Sequence, residues 1–101
     1  MNNPFENAMA QLDKVSKIKN FGKDFIERFH YPNRDIRISI PVEMDNGSLQ
    51  IFEGYRVEYN NTLGPYKGGI RYHPETEINE VKALAFWMTL KCATANIPMG
   101  G

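Results

Sequence analysis

The lysine at position 67 is surrounded by residues that let the backbone come close to another group. Lys67 stands in the stretch from Gly64 to Gly69, which reads Gly-Pro-Tyr-Lys-Gly-Gly. Glycine lets a chain bend sharply or approach a partner closely, and lysine presents a compact positive charge. The residue types leave two interpretations open: an exposed lysine on a turn, or a cation held towards an acidic ligand.

Lys91 is a second candidate because it falls in a predicted helix that is apolar on almost every side. No other charge occurs between Ala83 and Ala95, and Lys91 projects from the same face as Leu84 and Met88. Such a helix is expected to be buried, so its lysine must extend to the surface, lose its proton or meet an anion. Both a surface lysine and convergence of Lys67 and Lys91 on one acidic ligand stay open. The predicted apolar stripe comprises Val81, Leu84, Ala85, Met88, Cys92 and Ala95.

Other residue types that could do chemistry lack suitable partners. A phosphate-binding loop would need a lysine after Gly69, where Ile70 stands, and no G-x-G-x-x-G dinucleotide motif occurs. His30 and His73 have no cysteine or carboxylate at ligand spacing, so we expect no metal site. Cys92 has no histidine partner nearby and is interpreted as a small core residue.

Composition predicts one small folded domain. The chain has 101 residues, of which 42% are hydrophobic and 24% charged, as in globular proteins. Twelve basic and twelve acidic residues give no net charge, which argues against nucleic-acid binding. A single cysteine fits a reducing compartment, and neither a signal peptide nor an apolar run of ~20 residues is present. We therefore expect a cytoplasmic chain without a membrane partner.

The N-terminal third is predicted to be helical. Asn3 can cap a helix that begins with Pro4, and Gly22 marks a kink or a break between two helices. The residue before Pro32 is pushed out of the helical conformation, so the helical region should end there. The apolar positions at helical spacing are Phe5, Met9, Leu12, Val15, Phe21, Phe25, Ile26 and Phe29.

The middle of the chain predicts an antiparallel hairpin. Apolar residues alternate with others from Ile36 to Met44, which indicates a half-buried strand. Asn46-Gly47 favours a two-residue type I′ turn, and such a turn would pair Met44 with Leu49 and Val42 with Ile51. Ile38 and Ile51 would then share a face. Glu53 would oppose Ile40 on the buried side, and a bulge near Gly54 could turn Glu53 outward.

After the hairpin, residues 64–72 are predicted to turn into a short third strand. Asn79 can then cap a buried helix that ends near Asn96, before Pro98. We therefore expect an α/β domain with an N-terminal helical segment, a mixed sheet that contains the hairpin, and one buried helix. Pro41 lacks an N–H and places the first strand at a sheet edge, which could pair with another subunit.

The stretch from Tyr55 to Gly101 resembles glutamate dehydrogenases of the Glu/Leu/Phe/Val dehydrogenase family. The resemblance is carried by Gly-Pro-Tyr-Lys-Gly-Gly-Ile-Arg-Tyr-His-Pro, by Ala-Phe-Trp-Met-Thr-Leu-Lys-Cys-Ala and by the final Ile-Pro-Met-Gly-Gly. It implies that residues 1–101 form an N-terminal substrate-binding and oligomerisation domain, and that a missing Rossmann domain binds NAD or NADP. It also implies a homo-oligomer, a hexamer in the full-length protein, that interconverts L-glutamate with 2-oxoglutarate and ammonia.

The same resemblance implies roles for individual residues. Lys67 would bind the side-chain carboxylate of glutamate, Lys91 would bind the α-carboxylate, and Met88 would pack beside the substrate. Leucine and phenylalanine dehydrogenases carry an apolar residue at the position of Lys67, so a lysine there favours glutamate. The implied active-site glycines are Gly68, Gly69, Gly100 and Gly101.

The family's catalytic lysine lies in a Gly-Gly-x-Lys loop and would fall just beyond Gly101, so no catalytic residue is expected among these 101. We expect the chain to be the front part of a longer enzyme and to be inactive alone. A free-standing amino-acid-binding or assembly module that reuses the fold is the alternative. A Gly-x-Lys continuation followed by G-x-G-x-x-G would decide between them.

Overall fold

The helices and strands follow the expected order along the chain. The computed structural model describes residues 3–101. Over that range, helices α1 and α3 pack together, and the hairpin strand β2 packs on α3. The α/β fold class is confirmed. The elements are α1 (Pro4–Ile18), α2 (Lys23–Phe29), β1 (Arg34–Glu43), β2 (Leu49–Glu58) and α3 (Ile78–Thr94).

The start of α1 and the break after it follow the sequence prediction. The Asn3 side-chain oxygen accepts the backbone N–H groups of Phe5 and Glu6 at 3.0 and 3.3 Å, and Pro4 occupies the first turn. The chain leaves the helical conformation after α1 and resumes it after Gly22. Helix α2 ends two residues before Tyr31, as the following proline requires.

The core is built around Tyr59, which is 1% exposed, and Phe86, which is 2% exposed. Their ring centroids lie 5.5 Å apart in an edge-to-face arrangement, and the Phe29 ring lies 5.4 Å from Phe86. The Tyr59 hydroxyl donates to the Phe29 carbonyl oxygen at 2.5 Å, so the buried O–H is satisfied. Burial raises the pKa of Tyr59, and this residue therefore stays neutral.

The hairpin forms, but its predicted turn and register are wrong by one residue. Glu43 pairs with Leu49, and Pro41 pairs with Ile51. The Gly47 N–H donates to the Met44 carbonyl at 2.8 Å, which makes a three-residue loop with Gly47 in the left-handed region at φ 83°. This is the type I turn with a glycine bulge, the next most common hairpin loop after the two-residue turns.

The shift changes what each face of the hairpin carries. Cross-strand partners share a face, so a one-residue slip moves a whole strand to the other side. Ile38 pairs with Gly54, whereas Ile51 pairs with Pro41, and the two isoleucines therefore lie on opposite faces, contrary to the prediction. Pairing is unbroken from Arg34 to Glu43, so the predicted bulge near Gly54 is absent. Both faces carry large apolar side chains, with Ile38 52% and Ile51 62% exposed.

The predicted third strand does not form in the part of the chain that the structure describes. Residues 67–73 have no regular secondary structure. One isolated parallel bridge joins Tyr66 to Gly100, and the regular sheet consists of β1 and β2. Loop backbone in this region therefore pairs with a later loop instead of with a sheet.

Helix α3 is confirmed, but it is buried on one side only. Its buried residues recur every three positions and are Ala83, Phe86, Thr89 and Cys92. Of the predicted stripe, Cys92 is buried and Val81 and Ala85 pack against the core, whereas Leu84 is 41% exposed. The N-cap is Glu77, whose carboxylate accepts the Glu80 N–H at 3.0 Å, and not Asn79. The predicted face was only partly right, because a helix apolar all round has no periodicity that shows which side meets the core.

Candidate functional site

A tight turn at the end of α3 directs the following glycines back into the molecule. The Ile97 N–H donates to the Cys92 carbonyl at 2.9 Å, and the Asn96 N–H donates to the Ala93 carbonyl at 3.2 Å. Asn96 lies in the left-handed region at φ 57°. These are the bonds of a Schellman motif. The Met99 N–H then donates to the Ile97 carbonyl across Pro98, so residues 98–101 turn back towards β2.

Residues 98–101, here called the glycine segment, lie between the end of β2 and the loop that carries Lys67. The Gly101 carbonyl accepts the Tyr59 and Asn60 N–H groups at 2.8 and 3.1 Å, and the Gly101 N–H donates to the Asn60 carbonyl at 3.1 Å. On the other side, the Gly100 N–H donates to Pro65 at 2.8 Å, and its carbonyl accepts the Lys67 N–H at 3.2 Å. The glycine segment therefore holds the Lys67 backbone by direct pairing.

The four implied active-site glycines differ in what they permit. A Cβ on Gly100 would lie 1.8 Å from the Asn60 carbonyl oxygen, and a Cβ on Gly101 would lie 2.3 Å from the Thr89 nitrogen. At these positions the absence of a side chain lets two backbone segments touch. A Cβ on Gly69 would meet no described atom within 4 Å, and at Gly68 the nearest atom would be Met88 Cγ at 4.0 Å. Gly68 and Gly69 therefore border open space.

The segment that we call the lysine loop, residues 64–71, is also held by side chains. The Asn33 amide donates to the Tyr66 hydroxyl at 2.9 Å and to the Asn61 side-chain oxygen at 3.2 Å. At the far end, Arg71 forms an ion pair with Glu80 of α3 at 2.8 Å. The lysine loop is thus fixed before and after the stretch that contains Lys67 and its two open glycines.

Both candidate lysines are exposed, and neither forms an ion pair among residues 3–101. Lys91 borders a shallow apolar depression with Trp87 and Leu90, so the expected burial of its helix face is wrong and its charge is solvated. Met88 is half-buried, lies one turn before Lys91 on α3 and is the side chain nearest Gly68. The two exposed lysines are therefore carried by the lysine loop and by α3, which approach each other near Gly68 and Met88.

A buried carboxylate lies where β2 enters this region. Glu58 is 6% exposed and forms ion pairs with Arg34 on β1 and Arg56 on β2. The hydrogen bond from Arg34 lowers the pKa of Glu58 below its usual range, so Glu58 is ionised at neutral pH. These pairs hold the base of the hairpin next to Tyr59 and Asn60.

Sequence reasoning missed the polar cluster of Asn33, Asn61 and Tyr66. The three residues belong to separate segments, and asparagines near turns have a sufficient local explanation. No periodic spacing links them, so only the folded backbone brings them together. Over residues 3–101, no helix is long and apolar enough to cross a membrane.

Comparison with known proteins gives consistent matches. The sequence model of the Glu/Leu/Phe/Val dehydrogenase dimerisation domain matches residues 32–101. The chain is 53% identical over 97 residues to the NADP-specific glutamate dehydrogenase of Synechocystis sp. and 45% identical over 97 residues to the glutamate dehydrogenase of Thermotoga maritima. Each alignment covers 96% of this chain and 23% of the relative.

Solved structures agree. The glutamate dehydrogenase of Peptoniphilus asaccharolyticus matches with a TM-score of 0.93 and 38% identity, over 99% of this chain and 25% of that one. The leucine-bound hetero-hexameric glutamate dehydrogenase of Thermus thermophilus matches with a TM-score of 0.89 and 34% identity, over 100% of this chain and 24% of that one. The chain thus spans about a quarter of the length of these relatives.

Proposed function

Because this chain belongs to the Glu/Leu/Phe/Val dehydrogenase family, we propose that it is the N-terminal substrate-binding and oligomerisation part of a cytoplasmic glutamate dehydrogenase. The complete enzyme converts L-glutamate and NAD or NADP to 2-oxoglutarate, ammonia and the reduced cofactor, or runs in reverse. The relatives named above are glutamate dehydrogenases, one of them NADP-specific and one hetero-hexameric.

One observation carries the proposal: the glycine segment is paired with the lysine loop, and Met88 of α3 is the side chain that a Cβ on Gly68 would approach first, at 4.0 Å. A dicarboxylic acid removed from water needs two cations, because an unpaired buried carboxylate is costly. In the proposal, Lys67 holds the side-chain carboxylate and Lys91 holds the α-carboxylate. Met88 packs on the carbon chain between them, and Gly68 and Gly69 leave space for the ligand.

The dinucleotide is held elsewhere in the proposal. This chain contains neither G-x-G-x-x-G nor a phosphate-binding loop, so its residues do not fit a nicotinamide dinucleotide, and no step of hydride transfer is assigned to them. The cofactor and the catalytic lysine are proposed to belong to segments that correspond to the rest of the relatives' length. The role of these 101 residues is to bind, orient and discriminate the amino acid.

Assembly is the second part of the proposed role. The matched family model describes a dimerisation domain, and the hairpin exposes apolar side chains on both faces, among them Ile38, Val42, Leu49 and Ile51. Uncovered apolar surface of this kind marks an interaction site. We propose that these faces are covered by neighbouring subunits in a homo-oligomer, with a hexamer as the expected state.

The test is a chimeric enzyme in which this chain replaces the matching segment of the Synechocystis enzyme. Glutamate-dependent NADPH formation is expected, and a folded oligomer without it would favour the alternative, a non-catalytic amino-acid-binding or assembly module. Lys67→Leu should lower kcat/KM for glutamate roughly 30- to 1000-fold, because a charge-assisted bond is lost and a carboxylate is left unpaired.

Two comparisons make that variant specific. The side chain of norleucine has no carboxylate, so Lys67→Leu should lower kcat/KM for norleucine far less than for glutamate. The matched control is Lys14→Leu on α1, which removes the same charge from an exposed position and should change neither substrate. Equal losses for glutamate and norleucine would show that Lys67 does not bind the side-chain carboxylate.

A further inference from the structure

We propose that Tyr66 is a positioning residue that fixes the direction of Lys67 through its hydrogen bond to Asn33. The inference rests on the proposed function, because it concerns how that lysine meets its substrate. The Asn33 amide donates to the Tyr66 hydroxyl at 2.9 Å. Tyr66 immediately precedes Lys67, so an anchor on one side chain constrains the backbone that carries the next.

Asn33 is itself held firmly enough to serve as an anchor. Its backbone N–H donates to the Tyr59 carbonyl at 3.0 Å, and its amide also donates to the Asn61 side-chain oxygen at 3.2 Å. Tyr59 belongs to the buried aromatic core, so Asn33 is tied to the core. The position of the Tyr66 hydroxyl is thereby fixed relative to the core and to the start of β1.

Among the described residues, nothing comparable restrains the chain immediately after Lys67. A Cβ on Gly69 would meet no described atom within 4 Å, and Ile70 is 79% exposed. The next side-chain contact along the loop is the ion pair of Arg71 with Glu80. Two adjacent glycines add backbone freedom, so the orientation of Lys67 depends on the contacts that precede it. Those are the Tyr66 hydroxyl and the backbone pairing with Gly100.

The contact is suited to positioning more than to folding. It is solvent-accessible, and Tyr66 is half-buried, so loss of the hydroxyl leaves the core packing intact. Removing one anchor widens the range of directions that Lys67 samples, and binding must then order it again. The binding affinity should therefore decrease for ligands that contact Lys67 and should not change for ligands that do not.

The experiment uses Tyr66→Phe in the chimeric enzyme, which deletes only the hydroxyl. The KM for glutamate should rise roughly 3- to 10-fold with a smaller change in kcat, and norleucine should be unaffected. Asn33→Ala should raise the KM for glutamate at least as much, because it also removes the bond to Asn61. The double variant should show no larger rise than Asn33→Ala alone, because the contact between Tyr66 and Asn33 is already lost. Tyr72→Phe is the matched control, since Tyr72 lies just beyond the same loop, is 90% exposed and makes no side-chain hydrogen bond among the described residues.

The Lys67→Leu background separates this inference from the proposed function. In the Lys67→Leu variant, adding Tyr66→Phe should not raise the KM for glutamate any further. Suppose that Lys67→Leu lowers activity towards glutamate far more than towards norleucine. If Tyr66→Phe then changes neither activity, or lowers both equally, the positioning role is refuted and the proposed function stands. If Lys67→Leu itself is without effect, the proposed function fails first. An unchanged thermal midpoint in Tyr66→Phe excludes a general folding defect as the cause.

Discussion

Replacing Gly100 with alanine should strongly destabilise this chain. A Cβ at this position would lie 1.8 Å from the Asn60 carbonyl oxygen, 2.9 Å from its carbon and 3.0 Å from Asn61 Cα. All three atoms are backbone, so no side chain can rotate away. The glycine segment must therefore move away from the end of β2.

The expected loss of unfolding free energy follows from the hydrogen bonds that this movement breaks and from the strain that it causes. Gly100 donates to Pro65 at 2.8 Å and accepts from Lys67 at 3.2 Å, and each such bond contributes about 0.5–1.5 kcal/mol. Strain from an overfilled contact costs about 1–3 kcal/mol. The free energy of unfolding should fall by about 2–6 kcal/mol, a large part of the stability of a small domain.

Equilibrium urea unfolding followed by the fluorescence of the single tryptophan, Trp87, measures this change. Gly69→Ala is the matched control, because its added Cβ would meet no described atom within 4 Å and its φ lies outside the left-handed region. That variant should unfold within about 0.5 kcal/mol of the parent chain. If Gly100→Ala and Gly69→Ala unfold at the same urea concentration, the glycine segment is not packed against Asn60 and the reasoning is refuted.

Three further predictions concern charge and activity. Lys91→Leu in the chimeric enzyme should lower kcat/KM for glutamate and norleucine together, since both present an α-carboxylate; a loss confined to glutamate would contradict the assigned role. The folded state lowers the pKa of Glu58, so its contribution to stability is complete above about pH 4.3 and is lost as pH falls through the lower folded value. The stability difference between the parent and Glu58→Gln in urea should therefore shrink on acidification, and a constant difference would contradict this. The 101-residue chain alone should produce no NADH or NADPH from glutamate, and any glutamate-dependent signal from pure chain would overturn that expectation.

The fold class could be predicted because its main signals are local. Asn3 and Pro4 mark a helix start through contacts within one turn, and the alternation from Ile36 to Met44 needs no knowledge of the partner strand. The hairpin register could not be predicted, because Asn46-Gly47 fits both the two-residue turn and the three-residue loop that forms. The hydrophobic pattern favours the register that would place the apolar sides of both strands on one face, whereas in the register that forms these two sides lie on opposite faces of the hairpin.

The residues of the candidate site could be predicted from the sequence, but the contacts that hold them in place could not. The glycines around Lys67 and after α3 were recognisable as positions of close approach, yet sequence could not show that Gly100 and Gly101 approach other backbone rather than a ligand. The exposure of Lys91 was one of two outcomes that the sequence left open, because the pattern of α3 does not show which face meets the core. The roles of Lys67, Lys91 and Met88 stay predictions until the variants above are measured.

The pairing of Tyr59 with Gly101 sets an order of events as the polypeptide emerges from the ribosome. The helices and the hairpin close contacts between neighbours in sequence, which form early. The bond from Tyr59 to Gly101 instead closes a ring that includes the lysine loop and all of α3, and its closure costs on the order of 3 kcal/mol in chain entropy. Until residues 98–101 have left the exit tunnel, the lysine loop lacks its backbone partner.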